Sequence, residues 1–157
     1  SQEGVVEVKK IKLLGTISIF CFLLSGCGNG QVLSCSMTQE QSGATMKQTV
    51  DITFKKEEVS NVKMAINTKV TDDVSDSNWN SLVDMLDEQY STVNKEGFQI
   101  TKVNNKKERF YNITINVDVN KAKEDDLAEY DLEGLAGAQG TYDDIKEQME
   151  NSGLTCK

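Results

Sequence analysis

Between Met46 and Lys55 apolar and polar residues alternate: Met46, Val50, Ile52 and Phe54 share one side with Gln48, and Lys47, Thr49, Asp51, Thr53 and Lys55 share the other. A period of two is that of a strand buried on one face. After Lys56-Glu57-Glu58 the alternation resumes, with Val62, Met64, Ile66 and Val70 inward and Asn61, Lys63, Asn67 and Lys69 outward. The two runs predict a hairpin, although its turn lacks the Asn-Gly pair that would define the geometry. From Trp79 the period changes. Trp79, Leu82, Val83, Leu86, Tyr90 and Val93 recur at intervals of three and four, which predicts an amphipathic helix of about five turns, with Asp76 or Ser77 as caps and Gly97 as its stop. A second hairpin follows, from Phe98 to Val103, around a polar turn at Asn104-Asn105-Lys106-Lys107, and back through Tyr111, Ile113, Ile115, Val117 and Val119. A short helix is expected around Asp125 to Tyr130. Another is expected from Tyr142 to Asn151, with Thr141 as cap, Asp144 at the capping-box position and Gly153 as stop. With a strand-like segment after Gln31 and an extended Leu154-Thr155-Cys156, the expectation is an α+β fold. It is an antiparallel sheet built from two hairpins, packed on one face by one long and two short helices.

One segment fits neither period. Lys9, Lys10 and Lys12 precede Leu13-Leu14-Gly15-Thr16-Ile17-Ser18-Ile19-Phe20-Cys21-Phe22-Leu23-Leu24, which is apolar all round. A basic start followed by about a dozen apolar residues is the layout of an export signal. As a helix the run would rise roughly 18 Å, short of a hydrocarbon core of about 30 Å, so a permanent span is not expected. A buried core helix would need a polar face, and this run has none. The run ends in Leu24-Ser25-Gly26-Cys27, which resembles the lipobox of bacterial lipoproteins: an aliphatic residue, two small residues and cysteine. The resemblance implies that the Cys27 sulfur carries diacylglycerol and that cleavage before Cys27 makes it the mature N-terminus. Two acyl chains, at about 0.8 kcal/mol per buried methylene, anchor far more firmly than one. The expected organisation is a signal peptide over residues 1–26, whose true start is placed near Val8, a lipidated N-terminus and short tether over 27–31, and a single domain over 32–157. The tether reaches roughly 15 Å, so the domain is expected close to the outer face of the membrane.

Charge narrows the partners. The chain carries 17 basic and 25 acidic residues, a net charge of −8, with the acids spread along it and not gathered in a tail. Nucleic-acid binding is not expected of such a chain. Without residues 1–26, which hold Glu3, Glu7 and the three lysines, 131 residues remain with 14 basic and 23 acidic side chains, a net charge of −9. No polybasic patch is available as a second anchor, and anionic lipid should repel the domain, leaving the lipid on Cys27 as its hold on the membrane. Of four cysteines, Cys21 leaves with the signal and Cys27 is acylated. Cys35 and Cys156 remain, and in an exported domain such a pair suggests a disulfide, with two free thiols as the alternative. Zinc would need more ligands than two cysteines in a chain without histidine.

The signal, the strand pair, the long helix, the strand pair ending Val117-Asp118-Val119, and the segment Tyr142-Asp143-Asp144-Ile145-Lys146-Glu147-Gln148-Met149-Glu150-Asn151-Ser152-Gly153 together resemble the YehR-like family of small lipoproteins of unknown function. That likeness spans essentially the whole mature chain and rests on layout and the C-terminal helix. It implies no catalytic residues and no cofactor beyond the acylated cysteine.

Enzymatic chemistry is not expected. Without histidine there is no Ser-His or Cys-His pair and no zinc-protease motif. Glu124-Asp125-Asp126 and Asp143-Asp144 lack the spacing of a calcium loop, and both sit at expected helix starts, where carboxylates suit the dipole. Gly134, Gly137 and Gly140 are not followed by Gly-Lys-Ser/Thr and read as a linker, while Trp79 and Tyr90 read as core. The function expected is therefore a lipid-anchored extracytoplasmic module without enzymatic activity that binds a protein, peptide or small ligand. The alternative is a structural envelope or surface-coat lipoprotein with no specific ligand.

Overall fold

The computed structural model describes residues 30–157 of the chain. The export signal and the lipobox residues Leu24, Ser25, Gly26 and Cys27 lie outside the described residues. Within it, β1 (Gly30–Gln41), β2 (Ala44–Lys55) and β3 (Glu58–Val70) precede helix α1 (Asp76–Gln89). Then come β4 (Val93–Lys95), β5 (Phe98–Asn105), β6 (Phe110–Asp118), α2 (Glu124–Ala128), a 3-10 turn at Glu133–Leu135, α3 (Tyr142–Asn151) and β7 (Thr155–Cys156). The strands form one sheet in the order β4-β5-β6-β3-β2-β1-β7, and the strand pairs whose registers are described below are antiparallel.

The architecture is α+β, but the sheet is more than two hairpins. β1 extends the first hairpin to a three-strand meander, β4 extends the second, and β3 joins β6 to make the sheet continuous. Lys56 and Glu57 both take positive φ, 51° and 67°, at the β2–β3 turn. Positive φ at both central residues is the type I′ geometry that Asn-Gly usually supplies, and it matches the strand twist. A bulge at Thr53/Phe54 then sets Phe54 opposite Val59, keeping both on the apolar face.

α1 begins one or two residues earlier than expected, with Ser75 and neither Asp76 nor Ser77 as its N-cap, accepting from the Asn78 N–H, and it ends at Gln89. Tyr90 is extended, with φ −127° and ψ 107°, so the helix stops there and Val93 belongs to β4. Gly97 is the β4–β5 turn and not a helix stop. Its φ is +75°, and its carbonyl accepts from the Asp118 N–H at 2.9 Å. The α3 boundaries are those expected: the Thr141 hydroxyl accepts from the Asp144 N–H at 3.3 Å, and Gly153 follows at φ +94°.

Every fully buried strand residue lies on one face of the sheet, and the helices cover that face. Trp79, Val83 and Leu86 of α1 pack with Phe98, Ile100, Tyr111, Ile113, Ile115 and Val117. Ile145 of α3 packs with Leu33, Val50, Ile52, Phe54 and Val62 in a second cluster. Fully burying aliphatic and aromatic side chains of this size contributes about 1.5–3 kcal/mol each against the entropy of ordering the chain. Arg109, in the β5–β6 turn, fixes the entry to α1: its guanidinium donates to the Thr71 and Val74 carbonyls and pairs with Asp76.

Candidate functional site

Cys35 and Cys156 are adjacent residues of β1 and β7, with sulfurs joined at 2.03 Å. β7 is only two residues long. Its pairing with Ser36 and the Lys157 N–H donated to the Ser34 carbonyl at 2.9 Å are the described backbone contacts that hold it on the sheet edge. The bridge, with Leu154 packed against the second core cluster, fastens the segment after α3 to the body of the domain.

The underside of the sheet, opposite the helices, is a mainly polar surface interrupted by the exposed Val103. Across it runs a row of short side chains, Thr49-Ala65-Thr114-Thr101. On one side of that row stand Asp51, Lys63, Asn116 and Gln99, and on the other Lys47, Asn67, Asn112 and Val103. The amides are tied together: Asn112 donates to Asn67, the Thr114 hydroxyl donates to Asn112 at 3.1 Å, and the Ser34 hydroxyl donates to Asp51 at 2.7 Å. The alternation along the strands builds this surface directly, because each polar residue between two core residues must point the other way.

Over the opposite face, one polar cluster joins Asp87 on α1 with Lys102 of β5 and Tyr111 of β6. Lys102 and Tyr111 occupy core-facing positions, and each reaches Asp87: Lys102 at 2.9 Å and Tyr111 through its hydroxyl. Asp87 stands in the last turn of α1, where a negative charge opposes the helix dipole and where no basic residue lies on the helix itself. Lys102 and Tyr111 offset that. The Tyr111 hydrogen bond, then Lys102, hold the Asp87 carboxyl below its ordinary value. Burial first, then the Asp87 hydrogen bond, push the Tyr111 phenol above the ordinary 10.0. The sign of the pH effect follows. Below pH 10 the phenol is neutral folded or unfolded, and the native state keeps the full contribution. As pH rises through 10 the unfolded chain ionises first, and stability falls until the higher folded value is passed. Tyr111→Phe should therefore flatten the loss of melting temperature above pH 10; an unchanged alkaline slope would contradict this assignment.

A shallow cleft of about 340 Å³ lies at the other end of the domain, lined by Gln31, Phe54, Glu57, Thr141, Tyr142 and Asp143. Phe54 is buried, and its ring packs against Tyr142 at 5.6 Å, so the cleft offers the Tyr142 ring and two carboxylates. Among the described residues no group of three or more metal-binding side chains is gathered in one place, and no helix is long and apolar enough to cross a membrane. Asp126, in the acidic start of α2, pairs with Lys95 at 2.7 Å, and Asp143 and Asp144 stand in the first turn of α3. Trp79 is buried in the core.

What the alternation hid is how charge is sorted by layer. The helix-bearing segments, residues 72–90 and 120–156, hold sixteen acidic side chains and three lysines. The rest of the described chain holds seven acidic and eleven basic side chains. Three of those cations, Lys95, Lys102 and Arg109, reach up to acids of the helices, so that eight cations and seven acids remain, nearly balanced, in the strand-bearing part of the described chain. The signal was present in the sequence as the near-absence of lysine from the helices.

No protein-family model matches the chain, and no curated protein does. The fold is similar to a solved NMR structure of a protein from Streptococcus pneumoniae TIGR4, with a TM-score of 0.52 and 13% sequence identity, over 83% of this chain and 87% of that one. At that identity the likeness concerns the fold alone.

Proposed function

We propose that the chain is an extracytoplasmic lipoprotein, held at the outer face of a membrane by diacylglycerol on Cys27, whose single domain is a non-enzymatic binding module. The observation that carries this reading is the order of parts: a basic start, an apolar run closed by Leu24-Ser25-Gly26-Cys27, and a strand beginning at Gly30, three residues later, in a domain bridged from Cys35 to Cys156. A disulfide suits a domain folded outside the cytoplasm. Asp76, Asp87 and Asp126 are engaged in ion pairs, Asp143 and Asp144 stand at a helix start, and the chain has no histidine to act as base or nucleophile partner. The order of strands and helices is also what supports placing the chain with the YehR-like lipoproteins. The test is extraction of the lipidated protein from membranes in mild detergent, followed by co-purification and thermal-shift screening. A partner or ligand that binds saturably and raises the melting temperature supports the reading. A protein that always emerges alone, unshifted, and whose deletion alters envelope integrity supports a structural coat instead.

A further inference from the structure

The sorting of charge by layer has a mechanical consequence at a membrane. We propose that the domain stands in a fixed orientation on an anionic lipid surface, with the polar underside of the sheet turned towards the bilayer and the acidic helical layer turned away. The proposal rests on the lipid anchor at Cys27 and adds to it which surface the anchored domain offers to a partner.

Two observations carry it. The first is length. Because β1 begins at Gly30, earlier than the strand expected after Gln31, Cys27 lies three residues before it, and a fully extended link reaches only about 10 Å against roughly 15 Å for a tether over 27–31. The surface potential of an anionic leaflet decays over a Debye length of about 8 Å at physiological salt, so the domain is held where that field acts. The second is charge. Sixteen acids stand against three lysines, or six cations once Lys95, Lys102 and Arg109 are counted with the acids they pair, and the helical layer is still the side that an anionic surface repels. Underneath, Lys47 and Lys63 project from the middle of the sheet; Asp51, beside Lys63, is held by the Ser34 hydroxyl, and Asp118, at the end of β6, accepts from the Asn120 N–H. End-on attachment is disfavoured as well. Gln31, where the tether joins the domain, shares the cleft with Glu57 and Asp143, and although the exposed Lys55 and Lys56 flank Glu57, Glu58 and Asp144 match them, so standing upright would bring a net negative end towards the lipid headgroups. The orientation that keeps the acids farthest from the bilayer lays the sheet against it. The overall repulsion expected from a net charge of −9 is thus concentrated on one layer, and the tethered domain turns so as to avoid it.

The test uses the full lipidated protein in vesicles of one part phosphatidylglycerol to two parts phosphatidylcholine, and in vesicles of phosphatidylcholine alone. A fluorescence donor is placed at Thr101→Cys on the exposed underside or at Glu88→Cys on α1, with an acceptor on the lipid headgroups. On the anionic vesicles, transfer from position 101 should exceed that from position 88 by at least about twofold. The difference should collapse on neutral vesicles and in 1 M salt, where the Debye length is about 3 Å. Amine labelling of the unsubstituted protein gives a second reading, in which Lys47 and Lys63 are protected on anionic vesicles only. Equal transfer from both positions, or position 88 nearer the bilayer, overturns the proposal. Failure of the anchor itself is read separately, as a protein that floats with neither kind of vesicle.

Discussion

Replacing both bridging cysteines, Cys35→Ala with Cys156→Ala, should lower the stability of the domain by up to about 5 kcal/mol, read as a fall of roughly 15 °C in melting temperature. The bridge spans 121 residues of sequence and so removes much of the freedom of the unfolded chain. Alanine is the suitable replacement because Cys35 is 2% exposed and a hydroxyl there would be buried without a designed partner. The loss also has a local form. β7 has two residues, fewer than a strand needs to persist by its own pairing, and without the bridge it should detach together with the end of α3. Amide exchange between residues 146 and 156 should then accelerate far more than exchange in β6 at the centre of the sheet. A reduced or substituted protein that melts within a degree or two of the oxidised one would show that the bridge carries none of this.

The second large effect is expected at Gly97. A Cβ there would lie 2.5 Å from the Ala122 nitrogen and 2.7 Å from the Lys121 carbonyl carbon, in a backbone at φ +75°. The clash is with backbone, which no side-chain rotation relieves, and the left-handed conformation adds its own cost. Together they predict a destabilisation of about 3 kcal/mol, or about 10 °C, for Gly97→Ala. The cause is architectural: the β4–β5 turn must approach the turn after β6 closely enough for the Gly97 carbonyl to accept from Asp118. Gly134 provides the control, since nothing lies within 4 Å of a Cβ placed there, and Gly134→Ala should change stability by no more than about 0.5 kcal/mol. Equal effects at both positions would refute the steric account.

These two sites also mark how far the chain could be read before its structure was known. Segments with a single strong period were legible: β2, β3 and β6 follow their alternation, and α3 runs from the Thr141 cap to the residues before Gly153. The faces came with them, because alternation decides which side chains are buried as well as which residues are extended. The polar half of β1, Thr38 to Gln41, was not legible, since no apolar residue marks it and the pairing with β2 alone makes it a strand. Val93 was misassigned for the opposite reason. It falls three residues after Tyr90 and continues the helical spacing by coincidence, whereas the chain turns extended at Tyr90 and pairs Val93 with Ile100. Gly97, read as the end of that helix, is a turn glycine chosen by a contact far away in sequence. The pairing of β3 with β6 could not be ordered from local pattern, because two amphipathic hairpins leave several equivalent ways to join. Lys102 shows a related limit: it occupies a core-facing position and is tolerated there because Asp87 of α1 meets it.

For the site, the pairing of Cys35 with Cys156 was expected from elimination among four cysteines and is present, while Leu24, Ser25, Gly26 and Cys27 lie outside the described residues. The charge sorting escaped a count made along the chain. Seen linearly the acids are dispersed; only when α1, α2 and α3 gather on one face do they become a single acidic layer. Helices at the surface need only one apolar stripe, and here the exposed remainder is acidic with few lysines, while the strands alternate lysine and amide on their outer side. The fold converts two modest compositional biases into one strongly polarised domain.

The central claim is that Cys27 carries the lipid which holds this domain at the membrane. Its most direct test is labelling of growing cells with a palmitate analogue, comparing the wild-type chain with Cys27→Ala. The account predicts label on the wild type, which fractionates with membranes, and an unlabelled Cys27→Ala protein of higher mass that retains its N-terminal segment. A wild-type protein that takes up no label, or a Cys27→Ala protein labelled as strongly as the wild type, would contradict it.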